Sequence, residues 1–114
     1  MAFVKNEING IVIIKVANER LDTLIASDLK TELLLTVDGG ANKILIDLSD
    51  VQYADSSGLG ALLFGLRQLQ NIGGQMNLCG ANKKVMNLIK IARLEDWLTN
   101  YEDKKEALTN FLNE

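Results

Sequence analysis

The sequence predicts an α/β fold, a mixed and mostly parallel sheet of about four to five strands with about four helices, in the order β-β-α-β-α-β-α-β-α. Three observations carry this. Short runs rich in β-branched residues alternate with stretches whose apolar residues recur every three to four positions. The dipeptide Asn9-Gly10, favoured in tight hairpin turns, separates the first two runs. Glycine pairs stand where later elements must stop, and the 114 residues contain no proline, so nothing reads as a linker.

Taken in order, residues 1–8 and Ile11–Val16 form the opening hairpin, the second strand β-branched nearly throughout as suits an interior position. A polar stretch, residues 17–23, follows as a loop. Ile25, Leu29, Leu33 and Val37 then fall four apart and mark one helix stripe, ended by Asp38-Gly39-Gly40. Asp22, Thr23 and Ser27 all suit its N-cap, and sequence does not choose between them. Residues 43–48 read as a buried parallel strand. Leu59, Leu62, Leu63 and Leu66 form the stripe of the next helix, with Phe64 roughly opposite and sharing the outer side with Ala61 and Gln68. Asn71-Ile72-Gly73-Gly74 ends that helix through a left-handed glycine. Gln75–Cys79 is a strand, and Val85, Leu88, Ile89 and Ala92 mark a third helix. Residues 98–101 give a short last strand, and Leu108, Phe111 and Leu112 mark a last helix. Trp97 is expected in the core or at its rim.

The length suits one domain over residues 1–114. A chain of this size buries roughly two-thirds of its unfolded surface, enough for a core without disulfides or metal. The 12 basic and 15 acidic residues give a net charge of −3, with no basic run beyond Lys83-Lys84 and Lys104-Lys105. Nucleic acid calls for a basic stripe, so no such partner is expected. Glu7 interrupts the start before any signal-like apolar core, and no apolar run approaches the ~20 residues needed to span a bilayer. A cytoplasmic protein without membrane contact is the expectation. The single cysteine, Cys79, reads as a buried, inert thiol. The chain has no histidine, which removes Ser-His-Asp and Cys-His catalysis and the usual zinc sites. No catalytic activity and no cofactor are expected.

One stretch stands apart from this scaffold: Asp55-Ser56-Ser57-Gly58-Leu59-Gly60, between a strand and a helix. Unpaired N–H groups and the dipole at a helix start suit an acidic cap, and they suit a phosphate. Asp55, Ser56 and Ser57 are ordinary N-cap residues, whereas Gly58 and Gly60 either permit close helix–sheet packing or clear side-chain bulk around a hydroxyl.

In that setting residues 44–51 followed by Asp55-Ser56-Ser57-Gly58-Leu59-Gly60 resemble the signature of STAS domains, and more narrowly the small single-domain anti-sigma factor antagonists of bacteria. The resemblance spans nearly the whole chain. It implies a phosphorylation-switched binding module with Ser56, the first hydroxyl after the aspartate, as phosphoacceptor. An anti-sigma factor that is also a serine kinase would be both partner and modifying enzyme, and a PP2C-type phosphatase would reverse the mark. The unmodified form would bind the anti-sigma factor and release a sigma factor. Partner contact is implied at Asp22, Thr23, Asp55, Ser57, Gly58, Leu59, Gly60 and Phe64, with a free chain that is monomeric. The family's Gly-Glu-hydrophobic-Asp pattern with a nearby proline is replaced here by Asn18-Glu19-Arg20-Leu21-Asp22-Thr23, where Asp22 matches the acid. A constitutive STAS subunit of a transporter or signalling complex, without a phosphate cycle, is the alternative.

Overall fold

A computed structural model describes residues 2–112, the side chain of Leu112 lying outside the description. Strands β1 (Phe3–Ile8) and β2 (Ile11–Val16) form the antiparallel hairpin, and Asn9 and Gly10 take φ of 51° and 82°, as a tight primed turn requires. Then come β3 (Arg20–Leu21), α1 (Thr23–Asp38), β4 (Lys43–Asp47), β5 (Tyr53–Ala54), α2 (Ser56–Gln70), β6 (Gln75–Cys79), α3 (Lys83–Ile91), β7 (Asn100–Tyr101) and α4 (Lys104–Leu112). The main sheet runs β1-β2-β4-β6-β7, with β1 antiparallel and the remaining pairs parallel.

Alternation along the strands sorts the core into two layers. Val12, Ile14, Ile44, Ile46, Met76 and Leu78 meet the buried residues of α1, α2 and α3 on one face. Ile11, Ile13, Leu45 and Cys79 meet Ala107 and Phe111 of α4 on the other. Cys79 is 1% exposed, and burial, reinforced by nearby Asp47, pushes its thiol pKa up to about 12. That describes the inert thiol expected.

Four expectations need correction. The loop of residues 17–23 and the segment before the motif each contain a two-residue strand, and β3 and β5 pair in parallel as a second small sheet. Ala61 does not share an outer side with Phe64; it is fully buried, because α2 packs on α1 as well as on the sheet. Gly65 lies on the same side, where an added Cβ would come within 2.7 Å of Leu33 Cδ1 and 3.1 Å of Met76 Sδ. The small residues Gly58, Ala61 and Gly65, spaced three and four apart, thus line the packed side and allow close approach. Ala92 is the exposed C-cap of α3 rather than part of its stripe. Trp97 is 59% exposed.

Candidate functional site

The small sheet positions the site. Arg20 pairs with Tyr53 and Leu21 with Ala54 in parallel register. The chain leaves each strand straight into a helix, so α1 and α2 start side by side, capped by Asp22 and Asp55. Asp22 is therefore the cap of α1 among the three candidates. Its carboxylate accepts from the Leu24 N–H at 3.2 Å, while that of Asp55 accepts from the Gly58 N–H at 3.0 Å. The Asp55 N–H itself donates to Leu21 O at 3.3 Å, tying the second start to the first.

Ser56 is the first residue of α2 and is exposed. Among the described residues its hydroxyl has no hydrogen-bond partner. Ser57, one position on, is half-buried, and its Oγ lies 3.2 Å from Thr23 Oγ1 across the two helix starts. The two hydroxyls therefore differ: one is held by the fold and one is presented to solvent.

The two glycines differ as sharply. A Cβ at Gly58 would come within 2.8 Å of Leu21 Cγ and closer still to the Leu21 carbonyl oxygen, whereas nothing lies within 4 Å of one at Gly60. Gly58 thus lets α2 seat against β3, and Gly60 leaves open space beside the helix start. Asn82, the cap of α3, anchors the approach to the site by donating its amide to Val51 O at 3.3 Å and Gln52 O at 3.0 Å.

The arrangement brings together Asp22, Thr23, Asp55, Ser56, Ser57, Gly58 and Gly60. Leu59 is 8% exposed and packs into the core. Phe64 is half-buried and lies eight residues along α2 from Ser56, about 12 Å at the helical rise per residue. Two exposed apolar side chains accompany the helix starts without having been singled out. Leu24 is 79% exposed, and Tyr53 is 45% exposed with the Arg20 guanidinium 5.3 Å over its ring. For Leu24 the sequence signal is its place off the stripe of Ile25, Leu29 and Leu33. For Tyr53 it is the nearness to Asp55 in the chain. Among the described residues no group of three or more acidic or cysteine side chains could hold a metal ion. No helix among the described residues is long and apolar enough to cross a membrane.

Comparison with known proteins places this geometry. The family profile described as STAS domain matches residues 2–107. A Thermotoga neapolitana protein, named as an inferred anti-sigma factor antagonist, is 36% identical over 69 residues, 60% of this chain and 61% of that protein. The anti-sigma F factor antagonist of Paenibacillus polymyxa is 33% identical over 66 residues, 58% of this chain and 56% of that protein. The chain thus matches about three-fifths of the length of these curated relatives. Among solved structures, the crystal structure of a Thermotoga maritima protein of the same inferred description superposes with a TM-score of 0.86 at 26% identity, covering 95% of this chain and 92% of that one.

Proposed function

The chain belongs to the STAS domain family, and on that footing we propose that it acts as an anti-sigma factor antagonist, a binding module switched by phosphorylation of Ser56. Unmodified, it binds an anti-sigma factor that is also a serine kinase, and a sigma factor is released. Phosphorylated, it lets the anti-sigma factor go, until a PP2C-type phosphatase removes the mark. The partner surface is built around Asp22, Thr23, Asp55, Ser57 and the clearance at Gly60, with Leu24 and Tyr53 as its apolar rim.

The observation that carries this reading is the exposed Ser56 hydroxyl, without a partner among the described residues, on the first residue of a helix where the flanking Asp55 and Ser57 side chains are already hydrogen-bonded. A phosphate there adds about −1.5 to −2 charge and three acceptor oxygens. The helix dipole tolerates that charge, so the fold persists. An interface packed on the unmodified helix starts instead meets bulk and a dense anionic spot beside Asp55. A loss of about 3 kcal/mol weakens binding more than a hundredfold.

The test is incubation with candidate anti-sigma kinases and ATP, with the phosphate mapped by mass spectrometry. A single phosphate on Ser56, absent in Ser56→Ala, is expected. Ser56→Asp should bind the kinase more than a hundredfold more weakly while keeping the wild-type melting temperature. A phosphate mapped elsewhere, or a Ser56→Asp variant that binds like wild type, removes the proposal.

A further inference from the structure

The two edges of the main sheet are unequal. At one, β7 is two residues long; at the other, β1 offers six, without proline. Such an edge is a template for another strand unless something blunts it. Apart from Phe3 all of β1 is exposed, Val4 at 49% and Ile8 at 38%.

The hairpin register fixes which groups face outward. In a two-residue hairpin the closing pair, here Ile8 and Ile11, exchanges both backbone bonds, and bonded and non-bonded pairs alternate from there. The bond from Ala17 N–H to Ala2 O, 2.7 Å, has the same parity. The even-numbered residues of β1 therefore bond to β2. Phe3, Lys5 and Glu7 aim their N–H and C=O groups at the open edge. Side chains sort the other way: Val4, Asn6 and Ile8 stand opposite Lys15, Ile13 and Ile11 on the α4 face, whereas Lys5 reaches Glu32 of α1 at 3.2 Å on the other.

We propose that β1 pairs antiparallel with β1 of a second copy of this chain about a two-fold axis at Asn6, joining two sheets into one. This register sets Lys5 opposite the second copy's Glu7, through outward-facing backbone groups on both sides, and Val4 opposite its Ile8. Charge and apolar character are thus both self-complementary, as an isologous contact requires. Moving the axis one residue either way puts Lys5 on Lys5 or Glu7 on Glu7, which like-charge repulsion disfavours. The charges that blunt the edge toward other strands therefore admit this one. Lys5 keeps its bond to Glu32, since an ammonium has three donors. A pair of six-residue strands buries less than the ~1,200 Å² of stable complexes, so the dimer is weak and concentration-dependent. It departs from the free monomer expected from sequence, and it leaves the helix starts around Ser56 uncovered.

Sedimentation of the full chain at concentrations up to the order of 1 mM, where interfaces of this size associate, is the test. Wild type should pass from monomer to dimer. Lys5→Glu and Glu7→Lys, each alone, should stay monomeric, because each puts like charges in register. Mixed in equal amounts they should associate, since the first variant then presents two acids on its edge and the second two bases in the facing positions. Glu7→Pro should abolish pairing without removing a hairpin bond, because that N–H points outward; it carries the test alone if a charge variant fails to fold by circular dichroism. Wild type that remains monomeric throughout overturns the proposal, as does a mixture no more associated than its components. A dimer that survives Glu7→Pro uses another face and overturns it equally.

Discussion

The starts of α1 and α2 are built alike and seated differently. Each follows a strand of the same small parallel pair, each is capped by an aspartate, and each carries a hydroxyl residue at its first helical position. At α1 the second and third helical residues sit shallow, Leu24 79% exposed and Ile25 half-buried. At α2 the matching residues sit deeper, Ser57 half-buried and Gly58 buried, whereas the fourth residue, Ala26 or Leu59, is buried at both. The glycine accounts for the difference, because only a residue without a Cβ can lie against Leu21. The deeper start holds its exposed first residue, Ser56, at a fixed place on the surface. The shallower start offers apolar area beside it. The switch proposed at Ser56 draws on the first, and the proposed partner surface on the second.

The largest test of that contrast compares the two glycines of α2. In Gly58→Ala the new methyl meets the Leu21 carbonyl and lies 2.8 Å from Leu21 Cγ, on a strand whose backbone also holds Asp55. Overpacking against backbone that cannot yield should cost about 3 kcal/mol of unfolding free energy in urea titrations. Gly60→Ala meets nothing within 4 Å and sits inside the helix, so it should stabilise by about 0.8 kcal/mol through helix propensity. If the two variants shift the midpoint alike, Gly58 is not what seats α2.

The caps give a smaller contrast. The Asp55 bond to the Gly58 N–H is partly buried and 3.0 Å long, and that of Asp22 to the Leu24 N–H is exposed and 3.2 Å long. Losing a cap costs about 0.5–2 kcal/mol, and more where the stranded donor cannot reach water. Asp55→Ala should therefore cost about 1.5 kcal/mol and Asp22→Ala about 0.7 kcal/mol, by the same titration. Equal losses would mean that the two starts are equally open.

Much of this scaffold was legible in the sequence, because hairpin chemistry, β-branched runs and helical stripes are local signals. Asn9-Gly10 set the turn, and Gln75–Cys79 is a strand as read. The small sheet was not legible. Two-residue strands have no periodicity of their own, and Arg20-Leu21 and Tyr53-Ala54 become strands only because each finds the other, more than thirty residues away in the chain. The packed side of α2 was misread for a related reason. A leucine stripe identifies the face that meets a sheet, but α2 also packs on α1 and on β3, where Gly65 approaches Leu33 and Gly58 approaches Leu21 with Ala61 buried between them, and such small residues carry almost no hydrophobic signal. At the site, the hexapeptide singled out Ser56 by resemblance. Nothing local could separate it from Ser57, since the partner of Ser57 is Thr23 on another helix.

That separation is the finest point of the comparison and the smallest in energy. Thr23 Oγ1 and Ser57 Oγ lie 3.2 Å apart at an exposed position, where water competes for both groups. Thr23→Val and Ser57→Ala should each cost no more than about 0.5 kcal/mol, and a double-mutant cycle should return a coupling of about 0.5 kcal/mol. Ser56→Ala should show no coupling to Thr23→Val, because the Ser56 hydroxyl makes no bond among the described residues. Coupling confined to Ser57 means that the fold itself distinguishes two adjacent serines, using one to join the helix starts and leaving the hydroxyl of the other unbonded. A vanishing Ser57 coupling would leave the two hydroxyls equivalent, and the choice between them would then have to come from the partner.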